Sequence, residues 1–220
     1  MARADAYATL AEYRAANRDG QSGADTTISN LLTGTSRLLE RDLSLQEGAF
    51  NSYTGTHYFG ANGGAILNLE DTDGYTYFLQ TIAANGCGID SELDGTYDGF
   101  ALDLADAFLI GQPENTASKP FTQLRLMSWA SATVTVWPVA PRSVKINGTW
   151  GHAAVPDVVK HLTIRLTRLM LDSHLGGGAQ VIPAIDDLIR LPDAPKEVRG
   201  IWYSVKQLYG RRLFATTVSI

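Results

Sequence analysis

Hydrophobic positions change their spacing twice along the chain, first near residue 50 and again near residue 150. Thr9-Leu10-Ala11-Glu12 fits a capping box, in which the threonine side chain takes a backbone N–H and the glutamate reaches back to the cap. A short helix is therefore expected from Leu10 to Asn17, ended by Arg18-Asp19-Gly20. A second helix is expected with Asp25 as its N-cap. Ile28, Leu31, Leu32, Thr35, Leu38 and Leu39 recur at spacings of three and four, which puts them on one helical face. Gly34 inside this helix costs about 1 kcal/mol relative to alanine, which implies close packing at that point.

From Phe50 to Trp150 the pattern turns to short apolar or alternating runs. Candidate strands are 52–58, 65–69, 75–82, 107–110, 121–127, 132–137 and 144–150. Asn62-Gly63, Asp73-Gly74, Asn85-Gly86, Asp94-Gly95 and Asn147-Gly148 offer the positive φ of tight turns, and together these signals predict an antiparallel meander. Acids and glycines between Ile89 and Asp106 read instead as an exposed loop.

After Trp150 the helical period returns. Pro156 and Asp157 suit a first turn, and Val155, Val158, Val159, Leu162, Leu166, Leu169 and Met170 form a stripe with Lys160, Arg165 and Arg168 facing outward. Gly176-Gly177-Gly178 stops this helix; 181–191 reads as a short helix and Lys196 to Leu208 as a last one bearing Val198, Ile201, Trp202, Val205 and Leu208. The fold class expected is α+β: a small helical bundle from the N- and C-terminal segments, with an inserted antiparallel β-rich region. Its divisions are 1–48, 49–150 and 151–220, in one integrated domain.

Charge sharpens this division. No Lys or Arg occurs between Arg41 and Lys119, where twelve acids stand, whereas residues 151–220 carry nine bases against six acids. Such asymmetry points to separate partners for the two parts. The overall charge of −5 disfavours a sequence-reading nucleic-acid binder, whose affinity rests on basic residues at phosphates. No run of 18 apolar residues would span a membrane, and the start MARADAYATLAEY lacks the apolar core of a secretory signal. The expected location is the inside of a cell or particle. Cys87, the single cysteine, forms no internal disulfide and no cysteine-based zinc site, and Asn147-Gly148-Thr149 reads as a turn rather than a glycosylation sequon.

Candidate chemistry is sparse. There is no GxxxxGK loop, HExxH or GxSxG, and Gly86-Cys87-Gly88 lacks the third glycine of a dinucleotide fingerprint. Asp90-Ser91-Glu92-Leu93-Asp94-Gly95 resembles the start of a calcium loop, but Ala101 stands where a bidentate glutamate belongs, which favours a solvated acidic loop. His57, His152, His161 and His174 are not at ligand spacing and read as structural or surface residues. Cys87, between two glycines, suits an exposed thiol, and with no partner cysteine or neighbouring base it reads as bland rather than nucleophilic. Tyr53, Tyr58, Phe59, Tyr75, Tyr77 and Phe78 fit a sheet core and subunit contacts better than base stacking. No cofactor, metal or catalytic residue is expected. An acidic β-rich carbohydrate- or calcium-binding module remains the alternative reading.

The segment Val144-Lys145-Ile146-Asn147-Gly148-Thr149-Trp150-Gly151-His152-Ala153-Ala154-Val155-Pro156-Asp157-Val158-Val159-Lys160 resembles the V-x-V-x-G-x-W-G-[YF]-x-x-V-P-x-x-[IV]-K strand-to-helix junction of head-to-tail connector (adaptor) proteins of tailed bacteriophages. His152 departs from it, standing where an aromatic is common. Tyr7 to Tyr13 looks like that family's first short helix, the helix from Asp25 to Arg37-Leu38-Leu39-Glu40-Arg41 like its second, and Leu191-Pro192 to Tyr209-Gly210-Arg211-Arg212 like its closing segment. The β insertion is longer than the family pattern, and 175–189 looks added.

The resemblance implies a non-enzymatic virion protein made in the host cytoplasm. It would form a homo-oligomeric ring, typically of twelve subunits, in the neck between capsid and tail. Its partners would be the portal protein, a tail-completion or stopper protein and further copies of itself, with DNA passing through the channel without specific binding and no membrane involved. Portal-contact candidates are Arg199, Arg211, Arg212, Leu213 and Phe214; channel-lining candidates are Asp90, Glu92, Asp94 and Asp98; Gly148, Trp150, Gly151 and Pro156 would build the structural junction.

Overall fold

A computed structural model describes residues 6–18, 25–90, 92–97, 107–111, 120–126, 136–175, 184–192 and 194–210. The class is α+β: five helices and six antiparallel strands among the described residues. Two compact units emerge, Gln46–Pro156 in one and the described parts of Asp5–Leu45 and Asp157–Ile220 in the other.

In the helical unit, α1 runs over Leu10–Asn17 with the expected capping box. The Glu12 amide donates to the Thr9 hydroxyl oxygen at 3.2 Å, and the Thr9 amide donates to the Glu12 carboxylate at 2.8 Å. Helix α2 spans Asp25–Leu43, so Asp25 is its first helical residue rather than its cap, and its carboxylate pairs with Arg14. The stripe buries Ile28, Leu32, Thr35 and Leu39. Gly34 is the exception to its expected role: it is exposed, and a Cβ there would meet nothing within 4 Å. Its cost is not offset by close packing.

Helix α3 covers Asp157–Leu175 and packs on α2, where the Thr167 hydroxyl donates to the Thr35 oxygen at 3.0 Å. The short α4, Ile185–Leu188, starts on the Asp42 carboxylate, which accepts from the Ile185 amide at 2.6 Å. Helix α5, Lys196–Tyr209, buries Val198, Trp202 and Val205 and packs on α3. The Trp202 indole donates to Asp186 at 2.7 Å, whose second oxygen takes Lys206 at 3.1 Å. Before α1, Tyr7 is buried, with its amide donating to the Ser36 hydroxyl at 2.9 Å and its own hydroxyl donating to Glu40. Glu40 is 3% exposed and also binds Arg37.

The other unit holds β1 (Tyr53–Ala61), β2 (Ile66–Asn68), β3 (Leu79–Ile89), β4 (Ala107–Gly111), β5 (Phe121–Leu126) and β6 (Ala140–Trp150). Their order is β1-β6-β3-β5-β2, with β4 on β5. This corrects the expected meander, since among the described residues β4 and β5 are the one pair of sequence-adjacent strands hydrogen-bonded to each other.

Two of the five expected turn dipeptides are not turns. Gly63, Gly74 and Gly95 have positive φ as a turn requires, but Asn85-Gly86 and Asn147-Gly148 lie inside β3 and β6. The two face each other at a bulge, where register passes from Ile82↔Gly148 to Cys87↔Ile146. A Cβ on Gly86 would strike the Asn147 carbonyl oxygen, so the glycine permits close approach rather than a chain reversal. Strand β3 therefore begins and ends later than the expected 75–82, and Thr76 forms only an isolated bridge to Glu70. Of the candidate strand 132–137, the part up to 135 falls outside the described residues; Trp137 is in no strand. It is fully buried, its indole donating to the Ala65 carbonyl at 3.2 Å. One apolar cluster includes Phe59, Leu67, Leu124, Val144, Ile146 and Trp150.

Candidate functional site

The segment that carries the resemblance to phage connectors forms a tight exit from the sheet. Strand β6 ends at Trp150 and α3 begins at Asp157, so six residues make the connection. Gly148 lies between Gly55 of β1 and Ile82 of β3, and a Cβ would collide with the Thr81 carbonyl oxygen. Trp150 is completely buried against Phe59, Tyr77 and His57, and its indole donates to the Gly55 carbonyl at 2.9 Å. Gly151 takes φ +80°, and its amide donates to the Phe78 carbonyl at 2.7 Å. A side chain there would be strained by the positive φ and would strike the Asn51 carbonyl oxygen. Pro156, half-buried, directly precedes α3.

His152 fills the place of an aromatic. Its ring is 5.3 Å from Phe50 and 5.2 Å from Phe78, and the residue is 3% exposed. Burial pushes its pKa down to about 4, because charging the ring would place a cation among apolar groups. The histidine stays neutral at pH 7 as a packing residue.

The channel-lining candidates separate. Asp90 is 6% exposed, and its two carboxylate oxygens accept the Asp94 amide at 3.2 Å and the Gly95 amide at 2.9 Å. It therefore builds the turn instead of facing solvent, which corrects its placement in a solvated acidic loop. Glu92 and Asp94 are exposed on that loop, and Asp98 lies outside the described residues. Hydrogen bonds from Thr96, backbone first and then side chain, hold the Asp94 carboxyl below the usual range. Among the described residues, no three of His, Cys, Asp and Glu gather as a metal ion would need.

No protein-family model matches the chain, and no curated protein matches it.

Of the portal-contact candidates, Arg211, Arg212, Leu213 and Phe214 lie outside the described residues. Arg199 is exposed on α5, and one guanidinium nitrogen donates to the Ile189 carbonyl at 2.9 Å, bracing the end of α4. Cys87 is 2% exposed, which corrects the exposed thiol expected between two glycines, and burial pushes its thiol up to about 12, away from the reactive thiolate. His57 packs among Tyr53, Tyr77 and Trp150, and its Nε2 is 3.2 Å from the Tyr53 hydroxyl. His161, on α3, is 3.6 Å from Glu197. The side chain of His174 lies outside the described residues.

Tyr97, Arg142 and Lys145 were not singled out by sequence reasoning. Tyr97 closes the loop onto β6 through its hydroxyl, which donates to the Arg142 carbonyl at 2.7 Å. Arg142 and Lys145 bring cations to Tyr58 and Tyr97 respectively. The available signal was charge: residues 46–156 hold only four bases, and two of them stand three apart on β6 beside an acidic loop.

Proposed function

We propose that the chain is a structural head-to-tail adaptor of a tailed bacteriophage, without catalytic activity. It would form a ring of about twelve copies beneath the portal that joins capsid to tail and encloses the DNA exit channel. The observation that carries this reading is the stretch 144–160. Its sequence resembles the connectors' strand-to-helix junction, and here Gly148, Trp150 and Gly151 perform the packing that ties β6 into the sheet before α3 starts. The element order, helices then strands then helices, is also what the resemblance implies.

The exposed Glu92 and Asp94 suit a channel wall, where negative charge keeps DNA phosphates from adhering during passage. The basic closing segment, with Arg199, Arg211, Arg212, Leu213 and Phe214, is assigned to the portal. A tail-completion or stopper protein would bind the opposite side of the ring. Co-expression of a tagged full chain with the portal protein of the same genome tests the reading. Co-elution of portal with the tag is expected; elution of the chain without portal, at a salt low enough to preserve ionic contacts, contradicts it.

A further inference from the structure

One row across the sheet collects side chains that the junction does not use. Tyr58 of β1 and Gly88 of β3 are both register partners of Lys145 on β6. Gly88 leaves room for Tyr97: a Cβ there would lie 2.9 Å from the Tyr97 carbonyl oxygen and 3.2 Å from its Cβ. The Tyr58 and Tyr97 rings lie 5.3 Å apart, with the Arg142 guanidinium 4.9 Å from the centre of the first and the Lys145 ammonium 5.7 Å from the centre of the second. Tyr58, Asp90, Leu93, Tyr97, Pro141 and Arg142 are among the residues that line one concavity, and both Asp90 carboxylate oxygens there are taken by the Asp94 and Gly95 amides.

Backbone strain is concentrated at the same place. Four non-glycine residues among those described have positive φ, and Arg18 and Ser44 do so directly after the last residues of α1 and α2. The other two, Leu93 and Arg142, both line this concavity. Neither follows a helix, so no cap accounts for the conformation, and strain of this kind gathers where a side chain must be held in a set place. Leu93 is 61% exposed.

The cations define what fits. Neither Arg142 nor Lys145 has a carboxylate within ion-pair distance among the described residues. A guanidinium stacked on an aromatic ring uses its flat face and keeps its edge N–H donors for a planar oxyanion. A polyphosphate chain is disfavoured, because Glu92 and Asp94 are exposed beside the site and the region has eleven acids against four bases. A single carboxylate carries less charge than a polyphosphate and so meets weaker repulsion from Asp90, Glu92 and Asp94, while Leu93, Pro141 and the tyrosines offer its apolar neighbour contact.

We propose that Tyr58, Tyr97, Arg142 and Lys145 form a recognition site for a carboxylate beside an apolar side chain, as presented by an Asp- or Glu-bearing segment of a protein partner. The site goes beyond the neck assignment and does not depend on it. Amide shifts of the isotope-labelled full chain test it, with acetyl-Gly-Leu-Glu-Phe-Gly-amide, the same peptide with Gln for Glu, and octathymidylate as probes. The Glu peptide is expected to move the amides of Tyr58, Tyr97, Arg142 and Lys145, and to bind about tenfold tighter than the Gln peptide. The double variant Arg142→Gln, Lys145→Gln is expected to lose about tenfold in affinity at an unchanged melting temperature. Equal binding of the two peptides, tighter binding of octathymidylate, undiminished binding by the folded double variant, or no shift with any probe at about 10 mM overturns the proposal. The peptide comparison uses the unaltered chain, so it decides the matter even if the variant fails to fold.

Discussion

His152 ties pH to stability through one buried ring. Its pKa is depressed to about 4 in the folded chain, whereas an unfolded histidine titrates near 6.5, so below that value the unfolded state binds the extra proton. Its contribution is fully present above about pH 6.5 and is lost as pH falls toward 4, by about 3 kcal/mol in all. Phenylalanine matches the aromatic neighbours Phe50 and Phe78. Denaturant melts of His152→Phe are therefore expected to fold and to lose this part of the decline between pH 6.5 and 4. An identical decline would show that other groups carry it. Trp150→Ala removes a fully buried ring and its indole donor, and is expected to cost about 3 to 5 kcal/mol in the same melts. Gly148, Trp150 and Gly151 were picked out through the resemblance, whereas the dipeptide Asn147-Gly148 by itself read as a turn. That Asp90 is buried was not legible, because an Asp-rich stretch with glycine reads alike whether its carboxylates serve solvent or the loop's own amides.

Among elements, helices were the more legible. Helix α1 matches its capping box end to end, and α5 differs by one residue at its C-terminus, because cap chemistry and a 3.6-residue stripe are local signals. Buried polar groups in the helices were not foreseen. Ser36 and Thr167 are satisfied by hydrogen bonds that only packing reveals, Glu40 by Tyr7 and Arg37, and Thr163 by the Val159 carbonyl one turn back in its own helix. Strand order was equally hidden. An Asn-Gly pair reads as a turn, yet 85–86 and 147–148 meet across β3 and β6, a long-range pairing with no local mark. Gly34 supplies a test at this scale. Exposed, without positive φ and with free space for a Cβ, it is a site where alanine is expected to raise stability by about 1 kcal/mol in denaturant melts. A loss of stability would mean that α2 needs the glycine for something the isolated chain does not display.

At the scale of the whole molecule, charge and function meet. The acids between Arg41 and Lys119 first excluded a nucleic-acid reader; the proposed neck role gives them a second meaning, as a surface past which DNA slides. They do not act alike, since Asp42 starts α4 and Asp90 closes a turn, leaving Glu92 and Asp94 among the exposed members. The fold class followed from the two changes of hydrophobic period, whereas the candidate partner surfaces on the closing segment rest on resemblance alone. The most direct measurement is electron cryomicroscopy of the full chain mixed with portal rings from the same genome. The account predicts a closed ring of this chain seated coaxially on the portal, about twelve copies around an open channel. Bare portals beside an unassembled chain, at micromolar concentrations of both, would contradict it.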